Sequence, residues 1–405
     1  MEEIPDCPVS NDPGHPQAAG EKTAAQTSVG DINSSEQETE CNVATASSKI
    51  AGLHSNGLVV APNNFISKSL SCWSVNPALG CAHGCGFCYV PDTSAGKQKK
   101  ILAGYGVADP NKEWGSYVIV RPLDEEEFLR SLKAAENTPR DLLNIDGNRA
   151  VMFSTTTDPY QTITGGDGDL VKRLNRLLKG NVRRALELIR DCSTLNVRIL
   201  TRSPLAKKDF DVYKSMGDRL LLGTSLPTLD SKISKLYEPN APDPKHRLQL
   251  LLDAHQEGVA TYVAIAPVFP EVGKQGLLDV FNAVKAANPL TYFMEPINIR
   301  DGIANRINER AMRAGGSIDI ELFKNRKLWA QYAIQCLRDA EWAAAEAGVS
   351  DRLHLWPDHS DLQSEAVLLS QDDPRAFLEW LNRWWLRISE WPGKVSQGNF
   401  NRGAI

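Results

Sequence analysis

Three cysteines within eight residues are the clearest chemical signal in this sequence of 405 residues. Cys81, Cys85 and Cys88 follow a C-x-x-x-C-x-x-C pattern, and three glycines in the same stretch give the backbone the freedom to wrap a metal centre. Thiolates are the usual ligands of iron–sulfur clusters, and three of them on a four-iron cube leave one iron open. The pattern therefore predicts a [4Fe-4S] cluster with an open iron on which chemistry can occur.

Two other kinds of site remain open for the same loop. A structural zinc site needs four ligands, and His83 is the available fourth. An electron-transfer centre needs a fourth cysteine, for which Cys72 is the nearest candidate. The other cysteines are scattered along the chain, unlike the dense disulfide framework of a small secreted protein.

The overall composition is that of a globular protein, with 42% hydrophobic and 23% charged residues. No apolar run approaches the ~18 residues that a membrane span needs, so we expect no membrane partner. The acidic N-terminal segment has the pattern of neither a signal peptide nor a transit peptide, and we expect a cytoplasmic protein. The oligomeric state is not indicated by the sequence.

Acidic charge is concentrated near the N-terminus. Residues 1–60 contain nine acidic and two basic residues, a net charge of −7, which leaves +2 for the rest of a chain whose total is −5. The segment is also rich in small polar residues, so we expect residues 1–60 to form a disordered, polar and acidic tail. The nearly neutral remainder neither requires nor excludes nucleic acid. Its basic pairs, such as those at 183–184 and 207–208, are interpreted as solvated helix ends and loops.

Short β-rich runs alternate with helical patterns from about residue 65 to residue 300. The β-rich runs are Val151–Thr156, Val197–Thr201, Leu220–Ser225, Thr261–Val268 and Leu290–Ile297. The helical patterns are Asp124–Ala134, Val182–Asp191 with Asn181 as its N-cap, Pro244–Gln256 and Gly276–Ala286. This alternation predicts a parallel sheet, either doubly wound or in a barrel. The glycine-rich stretch within residues 163–180 predicts an inserted loop at the mouth of the sheet.

Beyond residue 300 the pattern changes to long amphipathic helices. We expect one over Glu321–Ala347 and another over Pro374–Glu390. Residues 301–405 are therefore predicted to form a helical C-terminal cap.

The cysteine motif, with an aromatic residue before its last cysteine and a βα repeat behind it, resembles the radical S-adenosylmethionine (SAM) superfamily. The wider sequence resembles the branch of spore photoproduct lyase, often described as DNA repair photolyase-like proteins. The stretches that carry this resemblance are 76–89, 154–161, 200–203, 224–230, 238–242 and 266–270. The resemblance implies an α/β fold, a partial (β/α)6 barrel of the TIM type over residues 61–300, with the cluster loop at 76–90.

The resemblance also implies how SAM is bound. In this superfamily the amino and carboxylate groups of SAM chelate the open iron. Thr156, Thr157 and Asp158 are placed to contact the SAM amino group, and Arg202 its carboxylate. Ser225 is expected to reach the carboxylate or the ribose. Each of these residues also has an ordinary structural interpretation, as a turn residue or an ion-pair partner.

By the same resemblance, an electron from the reduced cluster cleaves SAM into methionine and a 5′-deoxyadenosyl radical, which abstracts hydrogen from a substrate. We therefore expect a radical SAM enzyme with an external one-electron reductant of the flavodoxin or ferredoxin type. The branch favours a nucleic acid or nucleotide as substrate. A peptide or small metabolite stays an alternative, as does a protein that binds an iron–sulfur cluster or zinc without catalysis.

One departure from the lyase concerns the hydrogen donor. The lyase has a cysteine at the position that matches Thr155, and a hydroxyl does not readily deliver a hydrogen atom because its O–H bond is much stronger than S–H. Splitting of a thymine dimer by the lyase's mechanism is therefore not expected. Tyr89 matches a tyrosine after the last cluster cysteine and is the candidate catalytic residue for hydrogen relay, with packing as the alternative.

Four further side chains are weaker candidates for the mouth of the barrel. Phe87 is able to pack against adenine or substrate, and Glu295 follows a later strand where it could bind substrate or SAM hydroxyls. Asp358 and His359 are candidate substrate contacts from the C-terminal cap. Packing, capping and ion pairing are the alternative roles of these side chains.

Overall fold

The computed structural model describes residues 44–46, 49–63, 71–143, 149–153, 155–165, 168–298, 302–356, 359–385, 387–390 and 394–397. Its strands are β1 (Ala44–Ala46), β2 (Lys49–Leu53), β3 (Ala61–Pro62), β4 (Trp73–Val75), β5 (Ala78–Gly80), β6 (Tyr117–Val120), β7 (Ala150–Phe153), β8 (Asn196–Thr201), β9 (Leu220–Ser225), β10 (Thr261–Val268), β11 (Tyr292–Pro296), β12 (Leu353–Leu355), β13 (Arg387–Glu390) and β14 (Lys394–Gln397).

Helices connect most of these strands. They are α1 (Ser94–Lys97), α2 (Lys99–Gly104), α3 (Glu125–Glu136), α4 (Gly168–Cys192), α5 (Phe210–Met216), α6 (Ser231–Tyr237), α7 (Pro244–Gln256), α8 (Gly273–Lys285), α9 (Ile303–Arg313), α10 (Ile320–Lys324), α11 (Arg326–Ala347), α12 (His359–Leu362), α13 (Glu365–Leu368) and α14 (Pro374–Trp385).

The main sheet contains the parallel strands that the sequence pattern predicts. Its order is β12-β11-β10-β9-β8-β7-β4-β3, and every neighbouring pair is parallel except β3 and β4. From β7 onward each strand lies beside the one before it in the chain, with helices in the connections. β7 and β9 are buried along their whole length, as in sheets covered on both faces. This α/β arrangement confirms the predicted fold class, with β3 and β12 at the edges of the described ladder.

The predicted strand bounds agree closely with the observed ones. β9 and β10 have the expected bounds, and β8 begins one residue earlier than predicted. β7 is shorter than the pattern over Val151–Thr156, because it ends at Phe153. Beyond that point the side-chain oxygen of Asn76 accepts a hydrogen bond from the backbone N–H of Thr156 at 2.9 Å. The chain therefore turns where the sequence pattern continues the strand.

A smaller sheet includes part of the segment assigned to the N-terminal tail. Its order is β1-β2-β6-β5, with β2 parallel to β6. Ala51, Leu58 and Val60 are buried. Residues from 49 to 60 therefore belong to the fold and not to the tail. The part of the predicted tail at residues 1–43 lies outside the described residues.

Helix α4 corrects the loop expected at residues 163–180. It is 25 residues long and begins where the glycine run ends. Leu174, Leu178 and Val182 recur every four residues and are buried, so the apolar stripe continues through the segment. Asn181, the expected N-cap, lies inside this helix, where its carboxamide donates to the carbonyl oxygen of Arg121 at 2.8 Å.

The C-terminal region is largely helical, as predicted, but it also contributes strands. β12 extends the main sheet beside β11. The helix expected to reach Glu390 ends earlier, and β13 and β14 form an antiparallel hairpin there. Asn325 divides the helix expected over Glu321–Ala347 into α10 and α11, because its side chain caps α11 by accepting hydrogen bonds from the N–H groups of Lys327 and Leu328.

In the part of the chain described, no helix has both the length and the apolar character for crossing a membrane.

Candidate functional site

The loop with the three cysteines begins where β5 ends and runs to a 3-10 turn at residues 90–92. Gly80 has a φ of +91° and Gly84 a φ of +59°, a backbone conformation that residues with side chains rarely adopt. A Cβ atom on Gly84 would also lie 2.9 Å from the Cα atom of Gly115. The loop conformation and its close packing therefore require glycine at these positions.

The three thiols lie within electrostatic reach of one another. Cys81 and Cys85 are buried, Cys88 is half-buried, and all three are free thiols. Burial raises the pKa of Cys81 to about 12, and the charges of Asp158 and Cys88 add to this effect. Burial also raises the pKa of Cys85 and of Cys88, and the two other thiols raise that of Cys85 further. A metal must therefore displace the thiol protons in order to bind.

The donor set that the loop offers is three thiols. Among the described residues, no three His, Cys, Asp or Glu side chains are grouped so as to hold one metal ion. The cysteines of a four-iron cube bind different irons, and so are spaced more widely than the ligands of a single ion. His83, the fourth ligand considered for zinc, faces a carboxylate instead: its Nδ1 lies 3.5 Å from Oδ2 of Asp158. Three thiols in one loop fit a cluster with one open iron.

Two arginines bring positive charge to the thiols. Arg202, directly after β8, acts to lower the pKa of Cys85, against the larger effect of burial. Arg306, in α9, acts in the same way on Cys88. Thiolate ligands are negatively charged, so both guanidinium groups stabilise the form of the thiols that binds metals.

Arg306 also holds the backbone of the cysteine loop. Its Nε donates to the carbonyl oxygen of Gly86 at 2.9 Å, and its Nη2 donates to the carbonyl oxygen of Cys88. Nη2 also lies 3.2 Å from Oδ2 of Asp92. The side chain is almost completely buried. Arg306 belongs to no local sequence motif and lies in the region predicted to form the C-terminal cap. No local pattern therefore indicated its role at the cysteine loop.

Asp158 joins the turn after β7 to the end of β8. Its Oδ1 accepts from the hydroxyl of Thr201 at 2.7 Å and from the N–H of Tyr160 at 2.9 Å. Its Oδ2 accepts from the backbone N–H of Arg202 at 2.8 Å. Both carboxylate oxygens therefore have protein donors, and a SAM amino group would add a further donor to a carboxylate that already has a structural role.

Thr157 and Gln161 connect the turn after β7 to the cysteine loop through hydrogen bonds. The hydroxyl of Thr157 donates to the carbonyl oxygen of Gly80 at 2.6 Å and accepts from Nε2 of Gln161 at 2.6 Å. Oε1 of Gln161 accepts from the N–H of Ala82 at 2.6 Å. Thr156 is half-buried, and its hydroxyl makes no hydrogen bond to any described residue. Of the two predicted hydroxyl contacts, Thr156 has the hydroxyl that is available to a ligand.

Arg202 belongs to a buried ion-pair network. Its Nε donates to Oε1 of Glu238 at 2.6 Å, and Oε2 of Glu238 accepts from Nη1 of Arg247 at 2.5 Å. Burial opposes ionisation of Glu238, but Arg247 and Arg202 outweigh it and hold the pKa of Glu238 below its ordinary value. The guanidinium of Arg202 lies 5.6 Å from the ring centroid of Phe87, in the cysteine loop. Its terminal nitrogens make no hydrogen bond to the described residues, so they are available to a carboxylate ligand.

Ser225 lies at the end of β9 and is buried. Its hydroxyl donates to the carbonyl oxygen of Ala266 at 2.8 Å, near the end of β10. Its own carbonyl oxygen accepts from Nη1 of Arg247 at 3.2 Å. The hydroxyl of Thr224 donates to the carbonyl oxygen of Thr201 at 2.7 Å. These bonds tie together the carboxyl ends of β8, β9 and β10, where barrel enzymes carry their sites.

The structure places the side chain of Tyr89 beside Thr155. The hydroxyl of Tyr89 donates to the carbonyl oxygen of Thr155 at 2.5 Å. The hydroxyl of Thr155 pairs with the carboxamide of Asn76, at 2.8 Å from Nδ2 and 3.2 Å from Oδ1. Tyr89 and Thr155 are thus neighbours in the fold.

Of the four weaker candidates for the mouth of the barrel, the structure describes the side chains of two. Phe87 packs against Phe269, with 5.7 Å between the ring centroids. Glu295 is the fourth residue of β11 and is half-buried. Asp358 and the side chain of His359 lie outside the described part of the chain, so their predicted contacts stay predictions.

The chain is similar to known proteins in both sequence and fold. The family model described as the radical SAM superfamily matches residues 75–284. An uncharacterized protein of Acidianus two-tailed virus, ORF301, is 31% identical over 215 residues, which is 53% of this chain and 62% of the viral protein. The alignment therefore spans less than two thirds of the viral protein.

Solved structures of spore photoproduct lyase share the fold. The lyase complexed with dinucleoside spore photoproduct superimposes with a TM-score of 0.52 and 11% identity, over 75% of this chain and 80% of that chain. A variant of the same lyase gives a TM-score of 0.53 and 12% identity over the same shares. At such low identity the similarity demonstrates a common fold.

Proposed function

Because the chain belongs to the radical SAM superfamily, we propose that Cys81, Cys85 and Cys88 hold a [4Fe-4S] cluster whose open iron binds SAM. The observation that carries this proposal is a single glycine-shaped loop with three neighbouring thiols, faced by the guanidinium groups of Arg202 and Arg306. When bound, the reduced cluster supplies the electron that cleaves SAM to methionine and a 5′-deoxyadenosyl radical. The protein is then a radical SAM enzyme.

The residues around the loop divide into those that bind SAM and those that hold the site in place. The terminal nitrogens of Arg202 bind the SAM carboxylate, and the hydroxyl of Thr156 contacts the amino group. Thr157, Asp158 and Ser225 act mainly through the protein bonds described above, although each retains the capacity to accept a further hydrogen bond. Their bonds keep the turn after β7 and the ends of β8 to β10 in fixed positions around the loop.

The electron comes from outside the chain. The proposed cluster needs a one-electron reductant of the flavodoxin or ferredoxin type, and a reducing cytoplasmic compartment suits thiols that must stay free to bind iron.

We also propose a nucleic acid or nucleotide as the substrate. Spore photoproduct lyase, which has the same fold, has been solved with a dinucleoside photoproduct. The substitution at Thr155 places a hydroxyl where the lyase has a thiol, so the reaction differs from dimer splitting at the step that returns hydrogen. Tyr89, hydrogen-bonded to the carbonyl of Thr155, is the candidate for a relay of that hydrogen.

Anaerobic reconstitution with iron and sulfide tests the proposal. The wild-type protein should become brown, retain ~4 iron atoms per chain, and release 5′-deoxyadenosine from SAM in the presence of dithionite. Cys85→Ala should lose both properties. Cys72→Ala is the matched control, because Cys72 is also buried but lies outside the motif, and it should keep both.

Two outcomes would contradict the assignment. Equal iron content and SAM cleavage in wild type and Cys85→Ala would show that the motif does not hold the cluster. Stoichiometric zinc that resists replacement by iron would support a structural zinc site instead.

A further inference from the structure

A basic groove runs along the first half of α4, outside the proposed cluster site. It has a volume of about 380 Å³ and is lined by Thr162, Lys172, Asn175, Arg176 and Lys179. A second hollow of about 250 Å³ shares Lys179 with it and adds Arg183 and Lys208 among its lining residues. The two hollows therefore adjoin at Lys179.

The charge of the first hollow is largely uncompensated, whereas Arg183 in the second hollow is ion-paired with Glu187, Asp209 and Asp211. Residues 170–184 contain six cationic residues and no acidic residue, although the chain outside its first 60 residues is nearly neutral. Arg176 and Lys179 form no ion pair with any described residue, and Lys172 has only the exposed Asp169, 3.5 Å away. Burial and the nearby charge of Lys208 together hold the pKa of Lys179 below its ordinary value. An anionic ligand would relieve this repulsion.

The spacing of the cations suits a repeating anion. Lys172, Arg176, Lys179 and Arg183 follow each other at intervals of four, three and four residues, so they share one face of α4. Each interval is ~4.5–6 Å along the helix axis, comparable with the distance between successive phosphates of an extended strand. No large hydrophobic side chain is exposed on the described residues of this segment, as a membrane-binding helix would require.

The groove is rigidly connected to the cysteine loop. The side chain of Asn175 binds Ile163 through both its backbone N–H and its carbonyl oxygen, each at 2.9 Å. Leu174 and Leu178, on the other face of α4, share a buried cluster with Ala82 of the cysteine loop. Two residues before Ile163, Gln161 bonds to that same loop. A ligand in the groove is therefore held at a fixed position relative to the proposed site.

We propose that this groove, centred on Lys172, Arg176 and Lys179, binds the phosphate backbone of a nucleic-acid strand whose reacting nucleotide enters the cluster site. The reaction in this inference rests on the proposed function, whereas binding of the strand by the groove can be tested without it. Cation contacts to phosphates supply affinity without sequence preference, and the affinity falls steeply with salt.

Fluorescence anisotropy with short labelled single-stranded DNA and RNA tests the binding. The wild-type protein should bind at least one of them, and the variant with Lys172→Gln, Arg176→Gln and Lys179→Gln should bind at least ~10-fold more weakly, with a salt slope smaller by ~2 because each lost phosphate contact removes ~0.7. The matched control carries Arg313→Gln, Lys324→Gln and Lys327→Gln, which remove the same charge from exposed positions elsewhere and should leave the affinity near the wild-type value.

A measurement on the wild-type protein makes the test independent of any variant's folding. Bound oligonucleotide should protect Lys172 and Lys179 from chemical acetylation and leave Lys324 and Lys327 reactive. Absence of binding to both nucleic acids, equal affinity of the two triple variants, or equal competition by polyglutamate or by anionic vesicles would overturn the proposal. If the reconstituted wild-type protein binds oligonucleotide but does not cleave SAM, the proposed function is refuted and the binding groove is not.

Discussion

Arg306 donates a hydrogen bond from Nε to the carbonyl oxygen of Gly86, 2.9 Å away and 220 residues earlier in the chain. The contact joins α9 to the middle of the cysteine loop. Ile307, the next residue of the helix, packs so closely that a Cβ atom on Gly86 would lie 3.0 Å from its Cα. Helix α9 thus forms one wall of the proposed cluster site, and the site is complete only when α9 is packed against the cysteine loop.

Substitution of Arg306 should weaken both the fold and the cluster. In Arg306→Met the buried carbonyls of Gly86 and Cys88 lose their donor, and unsatisfied buried groups of this kind cost ~1–3 kcal/mol each. We expect the free energy of unfolding of the iron-free protein to fall by ~2–4 kcal/mol, measured by urea denaturation, and the reconstituted protein to retain less iron. Arg313→Gln, at an exposed position on the same helix, should change the stability by less than ~0.5 kcal/mol. An unaltered iron content in Arg306→Met would show that the loop does not depend on α9.

Arg202 should affect SAM binding more than cluster binding. In Arg202→Met the proposed SAM carboxylate loses its charged donors, which is worth ~1.5–3 kcal/mol, or about 10- to 100-fold in Kd. Glu238 keeps Arg247 as a partner, so the buried carboxylate stays paired. We expect anaerobic equilibrium binding to show the weaker Kd for SAM, and the iron content to fall less than in Arg306→Met, because Arg202 makes no hydrogen bond to the described residues of the cysteine loop. Arg130→Met, at an exposed site on α3, is the control, and equal SAM affinity in the two variants would contradict the role proposed for Arg202.

His54 should make stability depend on pH. Burial and the charge of Arg121 lower the pKa of His54 to about 4 from an ordinary value of 6.5. Its Nδ1 accepts a hydrogen bond from the N–H of Asn56 at 2.8 Å, and protonation of that nitrogen would break the bond. Between these two pKa values the unfolded chain binds more protons than the folded one, so stability is fully present above pH 6.5 and is lost as the pH falls toward 4.

The loss from His54 alone should amount to at most ~3.5 kcal/mol, because the two pKa values differ by about 2.5 and one pKa unit corresponds to ~1.4 kcal/mol. Urea denaturation of the iron-free protein at a series of pH values measures it. His54→Asn keeps an acceptor for the N–H of Asn56 and removes the titrating ring, so its stability should fall less steeply over this range. A variant with the same pH dependence as the wild type would assign the effect to other groups.

Local patterns predicted the elements well where burial and periodicity coincide. β9 and β10 have the predicted bounds, because the apolar run of β9 is buried throughout and that of β10 is largely buried. The prediction failed for α4, because glycines at its start were taken to mark a longer loop, although Leu174 and Leu178 already continued the apolar stripe of the helix. It also failed for residues 49–60, since the pairing of β2 with β6 joins strands separated by more than 60 residues.

The sequence by itself determined the chemistry that the protein is equipped to perform. The spacing of Cys81, Cys85 and Cys88 is a property of one short loop, and the glycines that this loop needs lie within it, so both can be read without knowledge of the fold. Only the tertiary structure decided which side chains surround that loop. Arg306 and Glu238 come from distant segments, and their roles follow from burial and from contacts across the chain, which no local pattern encodes.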